Sequence, residues 1–174
     1  MKLQDIYPNY RGYSGGGDKG TAHSYIEIYA AYLDPRGSML EIGVNQGHSL
    51  AMWQEYFTGE VIGLNINLKH IKFEVHAYQA DATDPEQVRP ILKGKQFTYI
   101  LDDGSHQLDD QVKSLALLWD YLEIGGTYII EDIKGQPELD MLRGIARELG
   151  PVKVFDFRDN HTQPDDLLLM VTKL

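Results

Sequence analysis

Two short acidic clusters hold the residues of this 174-residue chain best suited to chemistry. The first, Asp102-Asp103-Gly104-Ser105-His106, directly follows an apolar run over residues 97–101. The second, Glu131-Asp132, follows residues 127–130 in the same way. An apolar run that stops at polar residues is how a buried parallel strand delivers functional groups at its carboxyl end. If the two strands are neighbours, about 4.8 Å apart, Asp102, Asp103, Glu131 and Asp132 make one oxygen-rich site. Carboxylates that close repel one another unless a proton or a divalent ion intervenes. An oxygen donor set favours Mg²⁺, Ca²⁺ or Mn²⁺, and the chain has no cysteine to offer a thiolate. Acids at strand–helix turns also serve as N-caps, but four of them at two strand ends favour an ion. His106 is the candidate general base, because imidazole titrates nearest neutral pH.

These groups need elements to position them. Glu41-x-Gly43-x-x-x-Gly47 lies between a strand over residues 38–44 and a helix over residues 49–57. Its glycines let backbone approach a ligand, and the helix start offers unpaired N–H groups. The spacing is wider than the G-x-G-x-x-G that cradles a dinucleotide pyrophosphate, which argues against an NAD-dependent oxidoreductase. The acid two residues ahead would repel a phosphate and suits a ligand ammonium. A second strand, residues 61–66, ends at Asn65 where an acid commonly meets a ribose diol; an Asn amide can also bond a hydroxyl. A third strand, residues 76–81, ends at Asp81, either an acceptor for an adenine amino group or a turn residue, since Asp81-Ala82-Thr83-Asp84 is turn-like. His48 reads as structural. His23, His70, His76 and His161 receive no role, and Trp53, Tyr56 and Phe57 read as core.

Further strands are expected over residues 96–101, 127–130, 152–157 and 167–171. Helices are expected from Thr21 as N-cap over residues 22–33, from Asp84-Pro85, and over 109–122 and 138–149. Gly125-Gly126 reads as a turn. Strands that alternate with helices predict an α/β, Rossmann-like, doubly wound and mostly parallel seven-stranded sheet. The last two strands leave no room for a helix and should form an antiparallel hairpin, joined by a polar loop with Asn160, Thr162 and Pro164. The length predicts one domain over residues 1–174. Residues 1–19, rich in Tyr and Gly, read as a flexible terminus or a lid. The net charge of −10 disfavours nucleic acid. No apolar run approaches the roughly 20 residues needed to span a bilayer, and the first residues lack a signal-peptide core. A cytoplasmic protein is expected.

With these residues in hand, the chain resembles class I S-adenosylmethionine-dependent methyltransferases. More narrowly, it resembles the metal-dependent sugar O-methyltransferases of macrolide biosynthesis and the related rhamnosyl O-methyltransferases. The matching text is Gly17-Asp18-Lys19-Gly20 with His23-Ser24-Tyr25, Leu40-Glu41-Ile42-Gly43-Val44 with Gly47-x-Ser49-Leu50, Asp102-Asp103-Gly104-Ser105-His106, Gly125-Gly126 and Ile130-Glu131-Asp132. The resemblance implies that Glu41, Gly43 and Gly47 line the methionine and ribose side of S-adenosylmethionine, with Ser49 and Asn65 also counted as cofactor-binding. Asp81 and Ala82 would sit by the adenine and Asp102 at the amino-acid end. It implies Mg²⁺ on Asp103, Glu131 and Asp132, with His106 as base. The implied acceptor is a hydroxyl of a sugar or glycosylated small molecule, and a homo-oligomer is compatible with the sequence. The alternative is a non-catalytic protein that binds S-adenosylmethionine or S-adenosylhomocysteine, motivated by the short chain and by Asn65 in place of an acid.

Overall fold

The structure, a computed structural model, describes residues 2–12, 17–159 and 165–174. Tyr13, Gly15 and Gly16 of the expected lid, His161, and Asn160, Thr162 and Pro164 of the expected loop lie outside the described residues. The elements run α1 (Leu3–Ile6), α2 (Tyr25–Tyr32), β1 (Met39–Ile42), α3 (His48–Tyr56), β2 (Val61–Asn65), β3 (Ala77–Gln79) and α4 (Pro85–Leu92). They continue with β4 (Phe97–Asp102), α5 (Leu108–Leu118), β5 (Leu122–Ile130), α6 (Gln136–Leu149), β6 (Val152–Asp156) and β7 (Leu167–Thr172). Among the described residues the strands form one sheet in the order β3-β2-β1-β4-β5-β7-β6. The β1, β2, β3, β4 and β5 pairings are parallel, and β7 pairs antiparallel with both β5 and β6, as the hairpin expectation required. Among the described residues no helix is long and apolar enough to cross a membrane.

Both faces of the sheet are covered, which is why its central strands read as continuous apolar runs. Leu40, Ile42, Ile100 and Ile130 face a core shared with Val88, Leu115 and Leu142 of α4, α5 and α6. Met39, Leu101 and Ile129 face a second core that holds Tyr25, Tyr29, Leu50 and Trp53 of α2 and α3. Leu3 and Ile6 of α1 are buried in that second core, so the start of the chain is anchored by apolar contact.

Several local expectations shift; the helix expected over 109–122, for one, ends at Leu118, and Leu122 already belongs to β5. The α2 helix begins at Tyr25, not Ala22, because Asp18 O collects the N–H groups of Thr21, Ala22 and His23 in a turn. The Thr21 hydroxyl donates to Gly12 O at 2.8 Å instead of capping a helix. Gly125-Gly126 lies inside β5, where Gly125 N donates to Lys173 O and Lys173 N donates to Gly126 O. Pairing to the far end of β7 turns a local turn signal into strand. The start of α4 is as expected, with Pro85 in its first turn and Glu86 N donating to Asp84 Oδ1 at 2.9 Å.

Candidate active site at the ends of three strands

The register brings the acidic clusters together. Ile42 pairs with Asp102, and Asp102 pairs with Ile130, so β1, β4 and β5 end at one level. The ladder runs one step further: Gly43 N donates to Leu64 O, Asp103 N to Ile42 O and Glu131 N to Asp102 O, each at 2.9 to 3.0 Å. Sequence order reverses between β1 and β4, and that switch point is where open α/β sheets bind ligands. Gly43, at φ +88°, lies so close to β4 that a Cβ there would stand 1.8 Å from Asp103 O. Only glycine fits this crossing.

Asp103, His106 and Asp132 each offer a ligand atom, all within 4.8 Å of one another. His106 Nε2 is 3.2 Å from Asp103 Oδ1 and 3.7 Å from Asp132 Oδ2. Glu131 lies one layer deeper and 1% exposed, with Tyr29 OH and Lys19 Nζ both donating to its carboxylate. Lys19 Nζ also donates to Asp103 Oδ2 at 2.6 Å, and Tyr25 OH donates to Asp132 Oδ1 at 2.8 Å. Burial alone would raise the Asp103 carboxyl, but the Lys19 charge and the His106 hydrogen bond hold it down at about 2. Burial and the Asp103 charge push Asp132 up to about 6 and drive Glu131 upward. Burial would lower His106, yet its hydrogen bond to Asp103 and the surrounding carboxylates raise it. The backbone is held unusually here. Asn45, His106 and Asp132, non-glycine residues with positive φ, all line one cavity. Such strain persists only where the surrounding structure enforces it and gathers at functional sites.

That cavity, about 310 Å³, is walled by Asp18, Gly43, Asn45, Asn65, Asp103, His106 and Asp132 among others. A second, about 260 Å³, shares Gly43, Asn65 and Gly104 with it and is otherwise lined mainly by apolar groups such as Ile42, Leu64, Ile66, Ala80 and Ala82. Asn65 Nδ2 donates to Asn67 O at 2.5 Å, which leaves its Oδ1 as the acceptor. Asp81 lines the apolar cavity, while its Oδ1 also accepts from Thr83 N and Thr83 Oγ1, so the turn role is present beside any ligand role. Asp102, expected at a cofactor's amino-acid end, lines the apolar cavity. Its Oδ2 accepts from Ser114 Oγ and Tyr128 OH, its Oδ1 accepts from Gly104 N, and burial raises it to about 6. Glu41, Gly47 and Ser49 line neither cavity. Glu41 is fully buried, accepts from Trp53 Nε1 at 3.2 Å, and is raised by burial to about 7. Glu41 Oε2 and Ser49 Oγ are buried without a hydrogen-bond partner among the described residues.

Sequence reasoning missed the donors that surround the acids. Lys19 belongs to the Gly17-Asp18-Lys19-Gly20 stretch, whose residue pattern alone assigns it no role. Tyr25 and Tyr29, four residues apart, put their rings into the core and their hydroxyls onto Asp132 and Glu131. His23, given no role, has Nδ1 3.4 Å from both Asp132 Oδ1 and Asp166 Oδ1. A lysine in a Gly-rich segment next to a Tyr-x-x-x-Tyr helix was the available signal. His48 is structural as read, its Nδ1 3.1 Å from Tyr10 O and its ring against Phe73.

The chain has the Rossmann-like fold of class I methyltransferases. It superposes on MycE methyltransferase of the mycinamycin pathway, solved with Mg, S-adenosylhomocysteine (SAH) and mycinamycin VI. The TM-score is 0.75 at 23% identity, over 99% of this chain and 53% of that one. A SAM-dependent methyltransferase from Archaeoglobus fulgidus matches with a TM-score of 0.64 at 16% identity, over 86% of this chain and 92% of its own. In sequence the chain is similar to sugar O-methyltransferases. The 8-demethyl-8-α-L-rhamnosyl tetracenomycin-C 2'-O-methyltransferase of Streptomyces olivaceus is 33% identical over 134 residues, 68% of this chain and 35% of its own length. The mycinamicin VI 2''-O-methyltransferase of Micromonospora griseorubida is 32% identical over 63% of this chain and 30% of its own length. The chain thus spans about a third of the length of the curated relatives it matches. No family model matches it.

Proposed function

We propose that this protein transfers a methyl group from S-adenosylmethionine to a hydroxyl of a sugar or glycosylated small molecule, with Mg²⁺ as helper ion. The observation that carries the reading is the meeting of two cavities at Gly43, Asn65 and Gly104, one apolar and one holding the Asp103–His106–Asp132 cluster. The residues present fit both groups. The apolar cavity suits an adenine beside Asp81 and Ala82, with the Asn65 Oδ1 acceptor suited to a ribose hydroxyl. Glu41, two residues before Gly43, is fully buried and lines neither cavity, so its charge would act on a ligand ammonium through the wall. Asp103 and Asp132 offer the oxygen donors Mg²⁺ prefers, whereas Glu131, the third carboxylate of the expected set, turns inward to Tyr29 and Lys19. The sugar acceptor is supported by the names of the sequence relatives.

A bound divalent ion would lower the pKa of an acceptor hydroxyl and fix its direction. His106, 30% exposed at the cavity wall, takes the hydroxyl proton. The freed oxygen forms a bond to the methyl carbon as the sulfonium–methyl bond breaks, and its electron pair returns to sulfur to give S-adenosylhomocysteine. Asp103 holds the His106 ring by its hydrogen bond and stabilises the imidazolium that forms. Most of the acceleration then comes from positioning and from charge already in place. EDTA should abolish transfer to a glycoside acceptor and Mg²⁺ should restore it; full activity in EDTA would remove the ion from the mechanism. His106→Ala should cut turnover by about 10²–10⁴-fold with S-adenosylmethionine affinity unchanged by calorimetry, and unaltered turnover would exclude His106 as base.

A further inference from the structure

Lys19 is a cation inside an anion site. It is 2% exposed, its Nζ donates to both Asp103 and Glu131, and Glu41 adds a third carboxylate to its surroundings. A lysine is almost never buried so completely unless it is paired. Here the pairing spans two strand ends: Asp103 follows β4, Glu131 follows β5, and Lys19 arrives from the segment before α2. The backbone fixes it, because Lys19 O accepts the N–H of Tyr25 at 2.9 Å and of Ile26 at 3.3 Å at the start of α2. Tyr29, one turn further, donates to the same Glu131. Without the ammonium, Asp103, Glu131 and Glu41 would repel one another with little water to screen them, and burial without a partner charge is the costly case. Lys19 does not line either cavity at the site, so it leaves the open side of Asp103 and all of His106 to a ligand.

We propose that Lys19 is a resident counter-cation, a positioning residue that keeps Asp103 and Glu131 assembled before a divalent ion arrives and weakens that ion's affinity so that it exchanges. The inference rests on the metal reading above. The ion enters a site whose carboxylates are already gathered, so little reorganisation accompanies binding. The fixed positive charge nearby opposes a second cation. A unit charge a few ångströms from a divalent ion changes its affinity by at least about tenfold, the value reached even with the screening of water.

The test is Mn²⁺ binding by electron paramagnetic resonance, with thermal unfolding in EDTA and in saturating Mg²⁺, on the full chain and on Lys19→Met and Lys19→Gln. Both variants should bind Mn²⁺ at least about tenfold more tightly than the wild type. Both should melt lower in EDTA and recover more of their stability on adding Mg²⁺ than the wild type gains. Lys19→Gln keeps a hydrogen-bond donor while losing the charge, so it remains measurable should Lys19→Met fail to fold. A merely structural lysine would lower the melting temperature without tightening Mn²⁺ binding. Unchanged or weaker Mn²⁺ affinity in the folded variants therefore overturns the counter-cation role while the metal site stands. Absence of Mn²⁺ binding to the wild type overturns the metal reading and this inference with it.

Discussion

Glu41→Gln should stabilise the ligand-free protein and weaken its cofactor binding at the same time. Glu41 is fully buried on β1, accepts from Trp53 Nε1, and burial raises its carboxyl from the ordinary 4.5 to about 7. One pKa unit corresponds to about 1.4 kcal/mol, so the ionised form costs the fold about 3 kcal/mol. The folded state holds its proton to higher pH than the unfolded chain does. The stability from neutral Glu41 is therefore full below pH 4.5 and lost as pH rises through about 7. Glutamine has the same shape and no charge, so the variant should gain up to about 3 kcal/mol at pH 8 and almost nothing at pH 4.5. Urea unfolding in EDTA at half-unit pH steps reads this directly. The difference between variant and wild type cancels Asp102 and Asp132, which titrate nearby at about 6, to first order. Calorimetry with S-adenosylmethionine at pH 8 should show affinity about tenfold weaker, from the loss of a negative charge near the ligand ammonium. A variant less stable than the wild type at pH 8, or a difference that does not change with pH, would refute the assignment of a buried, charge-penalised carboxylate.

Other expectations follow from single contacts. Gly43→Ala places a Cβ 1.8 Å from Asp103 O at a residue with φ +88°, and should cost at least about 3 kcal/mol in chemical denaturation. Ser114→Ala removes a donor from the buried Asp102 carboxylate and should cost about 1–3 kcal/mol; a neutral result would mean that Tyr128 and Gly104 suffice. Asp132→Asn should weaken Mn²⁺ binding by about 100-fold or more with the fold intact by circular dichroism, and wild-type affinity would place the ion elsewhere.

The sheet was largely legible because its signals are local. Apolar runs of strand length at 97–101 and 127–130, each stopped by acids, mark strand and site together, and the short interval between the last two strands excluded a parallel crossover. Where local and distant effects competed, distance won: pairing with Lys173 drew Gly125-Gly126 into β5, and Asp18 O delayed α2 to Tyr25. Residue types at strand ends thus determined the fold class, the acidic character of the site and the place of His106 beside Asp103. The register of β1, β4 and β5 decided which acids face a cavity and which are sealed. Asp103 and Asp132 face one cavity, Asp102 lines the other while held by Ser114, and Glu131 turns inward to Tyr29 and Lys19. Lys19 lies 84 residues from Asp103 and 112 from Glu131. No spacing rule spans such separations; only the packing of α2 against the sheet brings that charge to its partners, because a buried ion pair is specified by where its surroundings exclude water.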